Sequence, residues 1–527
     1  MKITGFLGFY GIDAERHKSA IRDRLSEHID DAKFYGNMST CITYSKELEA
    51  SVKPAAALEL RLGKEAAKQS AMESVVIIND ELRLQRDYWG TRNVYYAPLK
   101  DGILFASDIK LILSSRELPV VEYDIDALEE CSSLGYIYQE DATLFRGIKQ
   151  VKRNEILRMA DAQTISFRKN HEEARQTFLE FDDAYGAFLA ALEDVVRDSM
   201  AKLQGDKLFL LSGGMDSTAL SIIAAQCQTI HTATFSSGDN KEDVFYADSV
   251  AKLISSHHRE IVFPEDAIRY VPEYLHSIEA LELDGIFSPL GGFAYYLFAK
   301  ELSCPQGTVL FPGEGADELL AGYYWPFTHP YGFVDKLKQR AMGHHLHDEI
   351  CKLFPLPEEK ERYRGIVQTF LLGTALTNYH LNCIEHTARK FKVHSVPLYM
   401  DKRLTDVLRS LPISWLCNDH ETKLPLRKFL LQYLSPHNLA SLVLRKKLAM
   451  PSVIPKCFLD RLHGISSAYK DCKHPYGELL DFSSVNCMMF DILHKYFTLA
   501  PMESPDAAEW EEDIERMEKF HEPIVHW

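Results

Sequence analysis

From Met1 to about Asp161, apolar residues gather in short runs separated by Gly, Asn and Asp: GFLGFYGI, SVVIIND, LRLQRDYWG, NVYYAPLKDGILFAS and EILRMADAQTISFR. Runs of this length, alternating or wholly apolar, predict strands and therefore a layered, β-rich domain with a few helices. The pattern changes near Asn170. There EEARQTFLEFDDAYGAFLAALEDVVRDSMAK repeats its apolar residues at helical spacing, which predicts a helical linker or the first helix of a second domain. Strand and helix signals then alternate through KLFLLSGG, TIHTATFS, EDVFYADSVAKLI, HREIVF and GTVLFPGEGADELLAGYY. That alternation builds a parallel sheet covered by helices on both faces. Beyond Pro326 the reading is mostly helical, and no internal repeat or low-complexity tract interrupts it. The expectation is an α/β chain in two parts, residues 1–170 and 171–527.

Two glycine-rich stretches fall on predicted strand ends, where open parallel sheets bind ligands. In LFLLSGGMDSTAL a strand stops on Ser212-Gly213-Gly214 and restarts as a helix, aiming backbone N–H groups at one point where an anion can collect them. The G-x-x-x-x-G-K spacing is absent and no lysine follows Gly214, so amides of the loop from Leu211 and the hydroxyls of Ser212, Ser217 and Thr218 are left to hold a phosphate. The plain alternative is a capped strand-to-helix turn. The second stretch, FPGEGADELLAGY, offers Gly313 and Gly315 for close backbone approach and Glu314, Asp317 and Glu318 as carboxylates. Beside an anion loop such carboxylates require a cation between, and Asp216 sits where a hard divalent ion can bridge carboxylate and phosphate oxygens. A solvated acidic turn is the alternative for this stretch alone.

Composition narrows the classes. With 46% apolar and 26% charged residues in 527, the chain reads as an ordinary globular protein of more than one domain. Its net charge of -17 argues against a nucleic-acid partner. Ten scattered cysteines without a C-x-x-C pair fit reduced thiols in a cytoplasmic setting, with neither a zinc site nor a disulfide framework. The opening MKITGFLGFYGI reads as a buried strand and not as a leader, and no run approaches the ~18 apolar residues of a membrane span. No membrane partner is expected, and a homo-oligomer is allowed.

The two motifs in this order resemble the asparagine synthetase superfamily, in which an amidotransferase-type domain of Ntn-hydrolase fold precedes a doubly wound ATP pyrophosphatase domain. The resemblance runs through most of the chain. QRDYWGTRNVYYA and GILFASDIKLIL are similar to the family's R-D-x-x-G and F-A-S-E-x-K segments, and HSVPLYMD, KLPLRKFLLQYL and RKKLAMP to its later signatures. It implies ATP and Mg2+, with Leu211, Ser212, Gly213, Gly214, Asp216, Ser217 and Gly313 at the nucleotide, Asp216 and Asp317 on the metal, and Glu314 and Lys447 as catalytic residues. Lys446 is the neighbouring competitor of Lys447. The implied partners are a small-molecule or peptide carboxylate and an amine, joined through an acyl-adenylate with release of AMP and pyrophosphate.

Departures from the pattern matter as much. Glutamine-hydrolysing relatives begin Met-Cys-Gly-Ile, whereas Met1 or Lys2 takes the cysteine's register here, and no Asn-Gly-Glu segment lies between Tyr10 and Arg86. The first domain is therefore expected to be a degenerate amidotransferase, with the amine coming from elsewhere. Loss of the thiol is similar to the intramolecular cyclases, the β-lactam synthetases and lasso-peptide cyclases, yet GEGADE keeps the asparagine synthetase form. Val393 and Ser395 stand where those enzymes carry Glu and Arg, which puts an aspartate substrate in doubt. A tRNA-modifying enzyme and a non-catalytic scaffold are the readings from other classes. His257-His258, Tyr323-Tyr324-Trp325 and Glu385-His386 are read as structural.

Overall fold

A computed structural model describes residues 81–118, 121–160, 165–169, 177–278, 281, 283, 290–355, 359–445, 453–481 and 483–525; N-terminal to these it describes 6–11, 14–18, 21–22, 29, 32–36, 40–45, 49–53, 57–62 and 74–78. The chain sorts into two compact units. The first holds Met1–Glu172, Arg269–Gly285 and Leu462–Trp527; the second holds Glu173–Ile268 and Ile286–Arg461.

The first unit carries two antiparallel sheets. One contains β1 (Phe6–Gly11), β2 (Ala32–Gly36), β3 (Thr40–Ser45), β8 (Tyr95–Leu99), β9 (Gly102–Ala106) and β10 (Lys149–Gln150), in the order β10-β8-β9-β1-β3-β2. The other contains β4 (Glu49–Lys53), β5 (Ala57–Leu62), β6 (Ser74–Ile78), β7 (Leu82–Gln85), β11 (Glu155–Met159) and β12 (Ile165–Lys169), in the order β12-β11-β7-β6-β5-β4. A single buried cluster draws Phe6, Tyr10, Ile42, Ile103 and Phe105 from the first sheet and Leu82, Leu84, Leu157 and Met159 from the second. Two sheets thus share one core, as the short apolar runs predict; each fully buried side chain of this size contributes about 1.5–3 kcal/mol. The expected buried strand near the N-terminus is β1, whose six residues are all buried. β2 to β5 are strands that the apolar runs did not mark.

The C-terminal part of this unit is knit by buried polar groups. Asp491, fully buried, accepts from Tyr469 Oη and His474 Nε2, both at 2.9 Å. Tyr123 Oη meets His494 Nδ1 and Thr498 Oγ1 at 2.8 Å, which joins the end of the chain to its first third.

The second unit is built on β13 (Lys207–Leu210), β14 (His231–Ser236), β15 (His257–Val262), β16 (Val309–Phe311) and β17 (His394–Ser395), in the order β15-β14-β13-β16-β17. Every pairing is parallel. Helices α1 (Phe181–Lys202), α2 (Met215–Ala225), α3 (Lys241–Leu253), α4 (Gly291–Leu302), α5 (Lys360–Gly373), α6 (Leu381–Lys390) and α7 (Leu424–Leu434) belong to it. The helical stretch near Asn170 proves to be α1, and the helical reading beyond Pro326 holds apart from β17. His257 and His258 open β15; Thr232 Oγ1 meets His258 Nδ1 at 2.9 Å across the strand pair. The successive strands β13, β14 and β15 run outward in one direction, and β16 returns to the other side of β13. That reversal makes the β13/β16 boundary the topological switch point, the place at which open parallel sheets bind ligands.

Candidate functional site

Both glycine-rich stretches leave adjacent strands at this switch point. The first leaves β13, and Leu211 N continues the ladder to Ala233 O at 2.8 Å before the chain turns. Gly213 takes φ 71°, and a Cβ there would lie 2.2 Å from Asp243 O, so only glycine fits. Ser217 Oγ, on the first turn of α2, accepts from Ser212 N at 3.1 Å and lies 3.1 Å from Ser212 Oγ. Gly214 N donates to Ser212 Oγ at 3.3 Å. The hydroxyls thus hold the loop's shape, with Ser212 exposed at its tip, whereas Thr218 is fully buried.

The second stretch leaves β16 and comes up against the first. A Cβ on Gly313 would stand 3.2 Å from Asp216 Cβ and 3.6 Å from Ser217 N. The missing side chain lets the two loops touch. Asp317 and Asp216 then converge on one point, and that point holds a residue the sequence motifs did not single out. Lys423 Nζ lies 2.5 Å and 2.6 Å from the two carboxylate oxygens of Asp216 and 2.7 Å from Asp317 Oδ1. The lysine side chain is 0% exposed.

Arg445 is the second missed residue. Its guanidinium donates to Gly213 O at 2.8 Å, pairs with Asp243 at 2.6 Å and stacks 4.8 Å from the Tyr246 ring centre. It clamps the glycine loop onto α3.

Around the second stretch, Glu314 is half-buried and Glu318 wholly buried. Burial pushes the Glu318 carboxyl up to about 8, helped by the charges of Asp317 and Glu314, and Tyr323 Oη donates to it at 2.7 Å. At neutral pH Glu318 is therefore a neutral structural group. Tyr323 packs inward with it, while Tyr324 and Trp325 are exposed. Glu385 and His386 are buried on α6. Burial raises the phenol of Tyr295 on α4, and the charges of Glu314 and Glu385 raise it further.

The sequence-predicted residues Leu211, Ser212, Gly213, Gly214, Asp216, Ser217, Gly313, Glu314 and Asp317 are thus all on the two glycine loops or the first turns of the helices that follow them, at adjacent strand ends. Lys446 and Lys447 lie outside the described residues, directly after Arg445, as do Met1 and Lys2. The donor set fits a divalent cation. Asp216 and Asp317 offer only hard oxygens, and both already face a single cationic atom.

A profile described as asparagine synthase matches residues 187–466. A putative glutamine-hydrolysing asparagine synthetase of Mycobacterium bovis is 28% identical over 322 residues, which is 56% of this chain and 47% of that protein. Asparagine synthetase 2 of Bacillus subtilis, also described as glutamine-hydrolysing, is 26% identical over 303 residues, 51% of this chain and 39% of its own length. The chain thus spans about half the length, or less, of these curated relatives. A solved glutamine phosphoribosylpyrophosphate amidotransferase from B. subtilis aligns over 64% of this chain and 79% of its own at 9% identity, with a TM-score of 0.21.

Proposed function

Because the chain belongs to the asparagine synthase family, we propose that it is an ATP-dependent amide-forming ligase that activates a carboxylate as an acyl-adenylate, releasing pyrophosphate and then AMP. One observation carries this reading: Asp216 and Asp317 converge on one point where the glycine loops of β13 and β16 meet. A parallel-sheet switch point with a loop of backbone amides on one side and paired carboxylates on the other suits a polyphosphate with its counter-ion.

A free carboxylate resists attack by an amine, since its charge repels nucleophiles and oxide is a poor leaving group. Displacing pyrophosphate from the α-phosphorus of ATP supplies a better one. The 212–217 loop is suited to hold the departing pyrophosphate, positioned by Arg445 through Gly213. Asp216 and Asp317 would hold Mg2+, whose part is to neutralise charge on the phosphates. Glu314, half-buried at the neighbouring strand end, would by resemblance orient the amine and accept its proton. Lys447, by resemblance, supports negative charge on the reacting centre. The lack of an Asn-Gly-Glu segment between Tyr10 and Arg86 favours an amine from a source other than a glutaminase of this chain, as in the making of a specialised metabolite or modified peptide.

The test is acid-dependent pyrophosphate release from ATP and Mg2+ with a panel of carboxylic acids. AMP is expected as the other product, and stoichiometric ADP would reject adenylation. With the cognate acid, Glu314→Gln should keep pyrophosphate release while slowing amide formation, because glutamine preserves shape but accepts no proton. Equal loss of both steps would assign Glu314 to substrate or metal binding instead.

A further inference from the structure

Lys423 is held in place by the fold around it. Its backbone adopts φ 57°, in the left-handed region, just ahead of α7. Its N–H donates to Leu320 O at 3.2 Å, which ties it to the end of the second glycine stretch. Gly322 leaves the room: a Cβ there would lie 2.0 Å from Lys423 Cε and 2.2 Å from Asp317 Oδ1. An uncommon backbone conformation and a glycine contact thus deliver one buried ammonium to two carboxylates.

We propose that Lys423 is a resident counter-ion that closes the carboxylate pair to free divalent metal, so that metal enters only together with nucleotide phosphates. The inference rests on the ATP-dependent reading above and concerns the order in which that site fills. Two carboxylates and one ammonium leave a local charge of a single unit, too little to draw a divalent ion into a position already occupied by Nζ at 2.5–2.7 Å. A metal arriving alone must displace Nζ and strand it, unpaired and buried, which is costly. A metal arriving on a nucleotide brings the phosphate charge that compensates both cations. Lys423 is in this respect a positioning residue, fixing the direction of both carboxylates before the nucleotide binds.

The experiment uses the full chain and Mn2+ as the probe, read by electron paramagnetic resonance of bound ion and by melting temperature. Wild-type protein should bind no Mn2+ alone and show no melting shift with it. It should bind Mn2+ in the presence of α,β-methylene ATP, which cannot be cleaved at the α-phosphorus. Lys423→Gln should gain free Mn2+ affinity by about tenfold or more, since the two carboxylates then no longer share that ammonium. If that variant is poorly folded, Mn2+ alone should restore its melting transition, and Lys423→Gln/Asp317→Asn should fold without metal and bind Mn2+ more weakly than the single variant. Tight Mn2+ binding by wild type alone, or no gain and no restabilisation in Lys423→Gln, overturns the proposal. Absence of Mn2+ binding by wild type with the nucleotide analogue would instead count against the ATP-dependent reading, so the two failures are distinguishable.

Discussion

Each unit contains a motif with a buried charge beside a glycine, and the two put that charge to opposite uses. In the first unit, Arg86 and Asp87 of QRDYWGTRN spend their polar atoms on their own neighbourhood. Arg86 donates to Val151 O at 3.1 Å, Gly90 O at 2.7 Å and Asn93 Oδ1 at 2.7 Å, while the Asp87 carboxylate accepts from the amides of Trp89, Thr91 and Arg92. This is a staple that holds a turn between β7 and β8. In the second unit, Asp216 and Asp317 point at one shared cationic atom at the strand ends. A sequence motif of charge and glycine therefore does not by itself mark chemistry; what matters is whether the charges are consumed by backbone or converge on one point.

The sharpest way to break this comparison is to remove one carboxylate from each motif. Asp216→Asn should lower acid-dependent pyrophosphate release about 100- to 1000-fold, the usual scale for losing a group that organises transition-state charge. Asp87→Asn should leave release per folded molecule close to wild type. Comparable losses of turnover from both variants would mean that the first motif also serves the reaction.

Stability should respond in the opposite sense, with a somewhat smaller effect. Arg86→Met removes the buried guanidinium's bonds to three acceptors, and the unfolding free energy should fall by roughly 3 kcal/mol. Urea denaturation checks this. A change under about 0.5 kcal/mol, the scale of an ordinary surface substitution, would show that the staple is dispensable.

Arg445→Lys probes the loop itself and should have a milder consequence. Lysine keeps the charge but cannot reach Gly213 O, pair with Asp243 and cover the Tyr246 ring together, so nucleotide affinity should drop about tenfold with little change in melting temperature. Isothermal titration with an uncleavable ATP analogue reads it. Unchanged affinity would place the determinant of loop shape in the Ser212–Ser217 contact instead.

Arg445 and Lys423 also show where the sequence stops being legible. Strand ends followed by glycines can be read locally, because periodicity and the missing side chain both lie within a dozen residues. Lys423 reaches Asp216 from 207 positions away and Arg445 reaches Gly213 from 232; each opens a segment that resembles a family signature, KLPLRKFLLQYL and RKKLAMP, but the resemblance does not say which residue makes the contact or with what. The conformation that delivers Lys423 is one that a lysine rarely adopts, so composition argues against it as well. In the first unit β4 and β5 escaped for a different reason. ELEASVKPAAALELRLGKEAAK is rich in Ala, Glu, Leu and Lys, all good helix formers, and pairing with neighbouring strands overrides that preference. The direction of the outer C-terminal elements was equally hidden, since the contacts of Asp491 are made among residues well beyond the motifs.

The smallest effect concerns Glu318, a carboxyl that sits next to the convergent pair without joining it. Its folded-state value is pushed up to about 8 by burial, so the folded protein holds a proton that the unfolded chain releases near the ordinary carboxylate range. Stability from this group is complete in acid and is lost as pH rises toward 8, after which the slope disappears. One proton sets the limit at about 1.4 kcal/mol per pH unit. Glu318→Gln keeps an acceptor for Tyr323 Oη and has no proton to lose. Urea midpoints measured from about pH 6 to about pH 9 should fall for wild type over the first two units and stay flatter for the variant, with a difference of about 1 kcal/mol per unit. Parallel curves would mean that Glu318 is ionised in the folded protein. Asp317 would then have a further negative charge beside it, and the second unit would resemble a binding site awaiting a metal more than one already closed by its own lysine.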